Sequence, residues 1–293
     1  MLNDPQLSQE YNIRAITRDV NSAKSKQLKD VVDVVQGDVF DPESLKSALS
    51  GVHTVFIMNA PSFGPDGLET EFNSIKAIAD TALEKGVEYI IFSTLPPIKE
   101  ISGGKYTRAT PFDAKAKAEQ YIRSLPIKSA FICPGSFMEN FLSEAQAFLG
   151  PRKAPDGTWV FSRHNSPESR IPLIDAVGDT GKFVGAILAE PDKYERKTFY
   201  AATALYSFEE MAAILSKVTG KTFVYKQISV EDFRNGIPST FIGIFVDYFS
   251  YVEDFGYYGG TDAEKKISWA VENARGKVST LEEFLMAHPL QLE

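Results

Sequence analysis

Up to about residue 140, short apolar runs alternate with segments of helical character. IRAIT (13–17), VDVVQGD (32–38), HTVFIMN (53–59), EYIIFST (88–94) and SAFICPG (129–135) are rich in Val, Ile and Phe, and each is too short for a typical helix. Such near-continuous apolar runs suit parallel strands covered on both faces. The segments between them have readable helix ends. In DPESLKSAL, Asp41 is an N-cap and Pro42 the first helical residue; LETEFNSIKAIADTALEKG stops at Gly86; PFDAKAKAEQYIRSL (111–125) is a third helix. Strands alternating with helices predict right-handed crossovers and an α/β, doubly wound parallel sheet.

Beyond residue 150 the pattern changes. PRKAPDGTW reads as loop, IPLID (171–175) leads into a helix through Lys182 to Leu188, and KTFYAAT (197–203) and KTFVYKQIS read as strands. Ser207 with Glu210 and Thr280 with Glu283 form two capping boxes, the first opening a helix that stops at Gly220. FIGIFVDYFSYVEDFGYYGG (241–260) holds eight aromatics in twenty residues, fit for a pocket lining, core packing or a partner-facing surface. The expected organisation is a main α/β domain over 1–150 and a smaller α+β domain over 151–293, with some later segments returning to the main sheet.

Composition narrows the partners. With 43% hydrophobic and 24% charged residues, the 293-residue chain is an ordinary globular one. A net charge of −8 without a basic cluster argues against direct nucleic-acid binding. No apolar run approaches the roughly 18 residues of a membrane span. No signal peptide is visible, and the single cysteine, Cys133, suits a reducing cytosol or nucleus, so a cytoplasmic or nuclear location is expected. The expected partners are a small-molecule substrate or a protein; an oligomer is compatible with the composition.

Candidate chemistry clusters at the strand ends. In a Rossmann-type sheet the residue beyond the second strand meets the adenosine ribose, and an arginine there accommodates the 2′-phosphate of NADP. Thr17 and Arg18 in ITRD occupy such a point, and Asp38 ends the next strand. Arg18 as a solvated loop charge and Asp38 as a turn cap are the competing readings. Asn59, Ala60 and Pro61 break the third strand and Thr94 the fourth, where open α/β sheets bind ligands. Short-chain dehydrogenases use Tyr-x-x-x-Lys, two groups one helical turn apart. None of the twelve tyrosines has a lysine four residues later, but Lys115 lies in the neighbourhood where that lysine is expected. Lys117 reads as a solvated face. GDTGKFVG (178–185) has neither phosphate-loop spacing, the three histidines match no zinc pattern, no G-x-S-x-G occurs, and Cys133 reads as a buried structural thiol.

Taken in order, IRAITRD (13–19), VVQGDVFDPESLKSALSGVHTVF (34–56), FDAKAKAEQYI (112–122), CPGSFMENF (133–141), IPLIDAVGDTGKFVGAIL (171–188) and YAATALYSFEEMAAILSKVTGK (200–221) resemble the NmrA-like family of atypical short-chain dehydrogenases/reductases. The resemblance implies a Rossmann domain preferring NADP(H), a smaller domain over the cleft, Arg18 at the 2′-phosphate and Lys115 at the nicotinamide ribose or substrate. It places Pro134, Gly135, Phe137, Met138 and Asn140 on the segment bordering the nicotinamide. Some members are NADPH-dependent reductases, and reduction of a small carbonyl or enone is one expectation for this chain; others are redox-sensing regulators acting through protein contacts, the alternative expectation. One departure stands out. The family opens with a strand and a G-x-x-G-x-x-G turn, whereas the first glycine here is Gly37, and MLNDP resembles the tail of the following helix. The expectation is a shortened fold without its first strand and glycine-rich loop. Either residues 1–10 or a partner chain would then complete the sheet, and tight dinucleotide binding would be in doubt.

Overall fold

The computed structural model describes residues 4–142 and 148–292. Its strands, in chain order, are β1 (Arg14–Thr17), β2 (Asp33–Gln36), β3 (Thr54–Ile57), β4 (Tyr89–Ser93), β5 (Lys128–Pro134), β6 (Ser136–Phe137), β7 (Arg152–Lys153), β8 (Trp159–Arg163), β9 (Arg170–Ile174), β10 (Thr198–Ala201), β11 (Ala204–Ser207) and β12 (Phe223–Gln227). The main sheet runs β10-β5-β4-β3, all parallel.

Period-two alternation in β4 and β5 builds a core on each face. Tyr89, Ile91, Ala130 and Ile132 pack with Phe183 and Ile187 of the helix Ala176–Ala189. Ile90, Phe92 and Phe131 point the other way, against Ile75 and Ala79 of the helix Gly67–Glu84 and Ala118 and Ile122 of the helix Thr110–Ser124. With both faces covered, these strands are apolar at nearly every buried position, the pattern visible in the sequence.

The helix signals act as expected. The Asp41 carboxylate accepts from Ser44 N with Pro42 in the first turn. Both capping boxes form, and Gly220 ends its helix at φ 68°. Strand ends are shorter than the apolar runs. The chain leaves β2 after Gln36 because Asp38 folds back onto Asp41. Among the elements not anticipated are β8, which follows the PDGT turn, and the helices Ile242–Phe255 and Ala263–Glu272.

β1 and β2 pair in parallel as a separate two-stranded sheet. Neither β1 on its free side nor β3 on its outer side has a strand partner among the described residues. Residues 4–10 do not supply one. They form a turn and the helix Leu7–Glu10, whose Leu7 packs against Gly185. Asp4 fixes this turn by accepting from Leu7 N (3.0 Å) and from Arg275 Nε (2.8 Å).

Over the carboxyl ends of the main sheet lie two smaller sheets, β11-β9-β6 and β12-β8-β7, with the helices Phe208–Thr219 and Ile242–Phe255. The aromatic stretch turns inward. Tyr248, Phe249, Tyr251, Tyr257 and Tyr258 are buried in the core beneath these sheets, so its bulk is pocket wall and core and not an exposed surface.

Candidate functional site

A cavity of about 540 Å³ opens where the carboxyl ends of β3, β4 and β5 meet the second layer. The floor comes from the loops. Asn59, Ala60 and Pro61 follow β3, Ser93 and Leu95 flank the end of β4, and Pro134, Gly135, Ser136 and Phe137 carry β5 into β6. The roof is Phe161 and Arg163 of β8, Phe208 and Met211, and Phe245, Tyr248 and Phe249. Strand ends are placed by the sheet, so their loops converge regardless of loop sequence.

Lys115 is the central polar group. It sits in the second turn of the helix Thr110–Ser124, lines the cavity, and is paired with Glu71 of the facing helix Gly67–Glu84. The side chains are 9% and 1% exposed. Glu71 Oε2 also accepts from Ser62 N at 3.2 Å, tying the loop after β3 to the lysine. Burial pushes the Glu71 carboxyl up, while the Lys115 ammonium and the Ser62 N–H pull it down. Lys117, two residues on, pairs with Glu69 on the exposed side of the same helix pair. Helical geometry separates the two lysines, since residues two apart do not share a face.

Gly135 is required by close approach. A Cβ there would stand 2.7 Å from Pro172 O and 2.9 Å from its carbonyl carbon. This contact brings β5 against β9 and closes the floor onto the roof. Asn59 Oδ1 is buried at the cavity with no hydrogen-bond partner among the described residues, an acceptor left for a ligand. Tyr257 donates its hydroxyl to Pro134 O (3.1 Å) and braces the end of β5. Burial pushes the Tyr248 hydroxyl up, so this wall residue stays neutral.

Of the residues expected from sequence, the fold brings Asn59, Ala60, Pro61, Lys115, Pro134, Gly135, Phe137 and Asn140 to this one cavity. Thr94 lies beneath it, its hydroxyl directed to Lys115 O (3.5 Å), and lines a neighbouring cavity of about 200 Å³. Met138 is buried in the adjoining core. Thr17, Arg18 and Asp38 lie apart, at the ends of β1 and β2. Thr17 Oγ1 accepts from Asp19 N, Arg18 is exposed, and the Asp38 carboxylate accepts from Phe40 N within its own turn. Cys133 is buried with its thiol pushed well up by desolvation, an inert group.

Sequence reasoning missed Glu71, Arg163, Phe161 and Phe208, while pocket lining was one of its readings for the stretch 241–260 that supplies Phe245, Tyr248 and Phe249. Glu71 had a readable signal: on an otherwise helical stretch it shares the face of Ile75, Ala79 and Ala82, all buried. Among the described residues no cluster could hold a metal ion, and no helix is long and apolar enough to cross a membrane.

The NmrA-like family model matches residues 3–285. The chain is similar to the NmrA-like family domain-containing oxidoreductase FrzB of Cladobotryum sp, at 32% identity over 245 residues, 78% of this chain and 73% of that protein. It is also similar to the oxidoreductase lnaB of Aspergillus flavus, 32% identical over 230 residues, 75% and 69% of the two chains. Among solved structures it resembles NmrA, a negative transcriptional regulator, in complex with NADP, with a TM-score of 0.75 at 20% identity over 94% of this chain and 87% of that one. The NADPH-dependent quinone oxidoreductase QOR2 of Escherichia coli, complexed with NADPH, gives 0.71 at 21% identity, covering 94% and 89%. At these identities the structural likenesses establish the Rossmann-type fold, and the match across almost the whole sequence establishes the rest: the chain belongs to the NmrA-like family.

Proposed function

We propose that the cavity is the active site of an NADP(H)-dependent oxidoreductase reducing a small carbonyl or enone compound. The observation that carries this reading is Lys115, a lysine held by a buried carboxylate at the floor of a largely apolar cavity. The residues present fit the nicotinamide end of the cofactor: Asn59 offers an unused side-chain carbonyl oxygen at the cavity. Arg18, exposed after β1, is proposed to face the 2′-phosphate, with Thr17 and Asp38 on the adenosine side. NADPH, when bound, supplies the hydride.

The protein's own part is positioning and electrostatics. Glu71 fixes the Lys115 ammonium, which donates to the substrate oxygen and stabilises charge developing there. Once a substrate fills the cavity against the aromatic roof, water is displaced, so that donor acts in a low-dielectric site. With Pro111 four residues before Lys115, the tyrosine acid of the usual pair is absent, so the final proton comes from Lys115 or from water it holds.

The test is NADPH oxidation by the purified 293-residue chain across quinones, enones and aldehydes. Lys115→Ala is expected to cost about 100-fold or more in kcat/KM; unchanged rates would remove Lys115 from the chemistry. The missing Tyr-x-x-x-Lys pair favours one second reading, a regulator that senses NADP(H) or acts without it through protein contacts. Stoichiometric NADPH binding without turnover of any compound would decide for that reading.

A further inference from the structure

Arg163 stands at the end of β8 in the roof of the cavity, 7% exposed, with no acidic partner within ion-pairing distance among the described residues. Of its five N–H donors, protein acceptors are found for two: Nη1 gives to Ser162 O (2.7 Å) and Nη2 to Leu149 O (2.5 Å). Nε is buried with no partner. The guanidinium lies against the rings of Phe161 (4.6 Å) and Phe249 (5.1 Å), which hold its plane. Glu253, the nearby acid, is committed elsewhere, accepting from Ser166 N and Asn165 Nδ2. Burial lowers the guanidinium to about 10, so it remains a cation at neutral pH.

A buried charge without a counter-charge is costly, and proteins retain one where a ligand completes the pair. We infer that Arg163 is the anion-recognising residue of this pocket, and that its ligand carries a carboxylate, or an ionised enol or phenol oxygen, on an apolar ring-bearing body. Phe161, Phe208, Phe245 and Phe249 suit the body, and the terminal N–H groups not given to Ser162 or Leu149 offer the donors that a carboxylate accepts. Lys115, on the opposite, sheet side of the cavity, meets the reacting oxygen, so the two cations divide reaction and recognition between floor and roof. The inference rests on the reading of this cavity as a substrate site.

The probes are 2-naphthoic acid and 2-naphthamide, matched in shape and differing in charge. They are titrated calorimetrically into the full 293-residue chain, with and without NADPH. The acid is expected to bind about ten-fold tighter or more. Arg163→Gln should erase that preference, Arg163→Lys should restore part of it, and Lys115→Met should leave it in place. Equal binding of acid and amide to the wild-type protein would overturn the role of Arg163 while leaving the substrate site standing, and it needs no variant to fold. Failure of both probes to bind would count against the substrate site itself. Loss of NADPH affinity in Arg163→Lys, with the acid preference intact, would assign the cation to a cofactor phosphate and overturn the inference.

Discussion

Replacing Lys115 with methionine keeps the bulk of the side chain and removes its charge. Glu71 is 1% exposed, and without the ammonium its carboxylate keeps one protein donor, Ser62 N at 3.2 Å. Breaking a buried ion pair from one side costs about 3–5 kcal/mol. Burial already pushes the Glu71 carboxyl up, and losing the ammonium that opposes this raises it further, so in the variant protonation relieves the buried charge and holds the loss at the lower end. At about 2.1 cal/mol/K per residue over 293 residues, a 3 kcal/mol loss lowers Tm by about 5 °C. The pH dependence has a definite sign. The folded variant binds a proton on Glu71 that the unfolded chain, with its ordinary value of 4.5, has released. Stability relative to wild type therefore recovers as pH falls through the raised folded value, and the deficit is largest above it. Glu71→Gln should cost less, about 1–2 kcal/mol, because the Lys115 ammonium lines the cavity and can reach water. The double variant should cost less than the two singles together. Urea denaturation at pH 5.5, 7 and 8.5 reads all of this. A Lys115→Met protein within about 0.5 kcal/mol of wild type at every pH, or a Glu71→Gln protein that is the less stable of the two, would refute the reasoning.

Further outcomes follow from single contacts. Gly135→Ala should cost about 1–3 kcal/mol and weaken any ligand of the cavity, because its Cβ meets backbone and not a yielding side chain; denaturation and NADPH titration check both. Ser207→Ala should cost about 1 kcal/mol by freeing Glu210 N, with Glu210→Gln milder, since the second arm of the box survives. The Arg275 guanidinium holds the Asp4 carboxyl at about 2, against 3.8 in the unfolded chain. Its contribution is present above the unfolded value and is lost as pH falls toward 2, so Asp4→Asn should remove an acid-sensitive step in stability measured between pH 4 and 2.

Much of the first half was legible because local physics and tertiary structure agree there. Strands covered on both faces must be apolar throughout, so β3, β4 and β5 announced themselves, and Asp41, Pro42, Gly220 and the capping boxes act within one turn of chain. That Asn59, Pro61 and Gly135 would line one cavity was legible because strand carboxyl ends converge wherever the sheet is parallel. Lys115 was legible from its place in the chain, not from its surroundings.

The sequence by itself determined the alternation of strands and helices, the caps, and the absence of the usual tyrosine before Lys115, since each depends on neighbours a few residues apart. Only the tertiary structure decided that Glu71 stands beside Lys115, that Arg163 stands in the roof of the same cavity without an acidic partner among the described residues, and that the aromatic run 241–260 turns inward. It also decided that β1 and β2 hold together apart from the main sheet. Each of these joins residues distant in the chain, and their burial and charge balance depend on packing that no local pattern encodes.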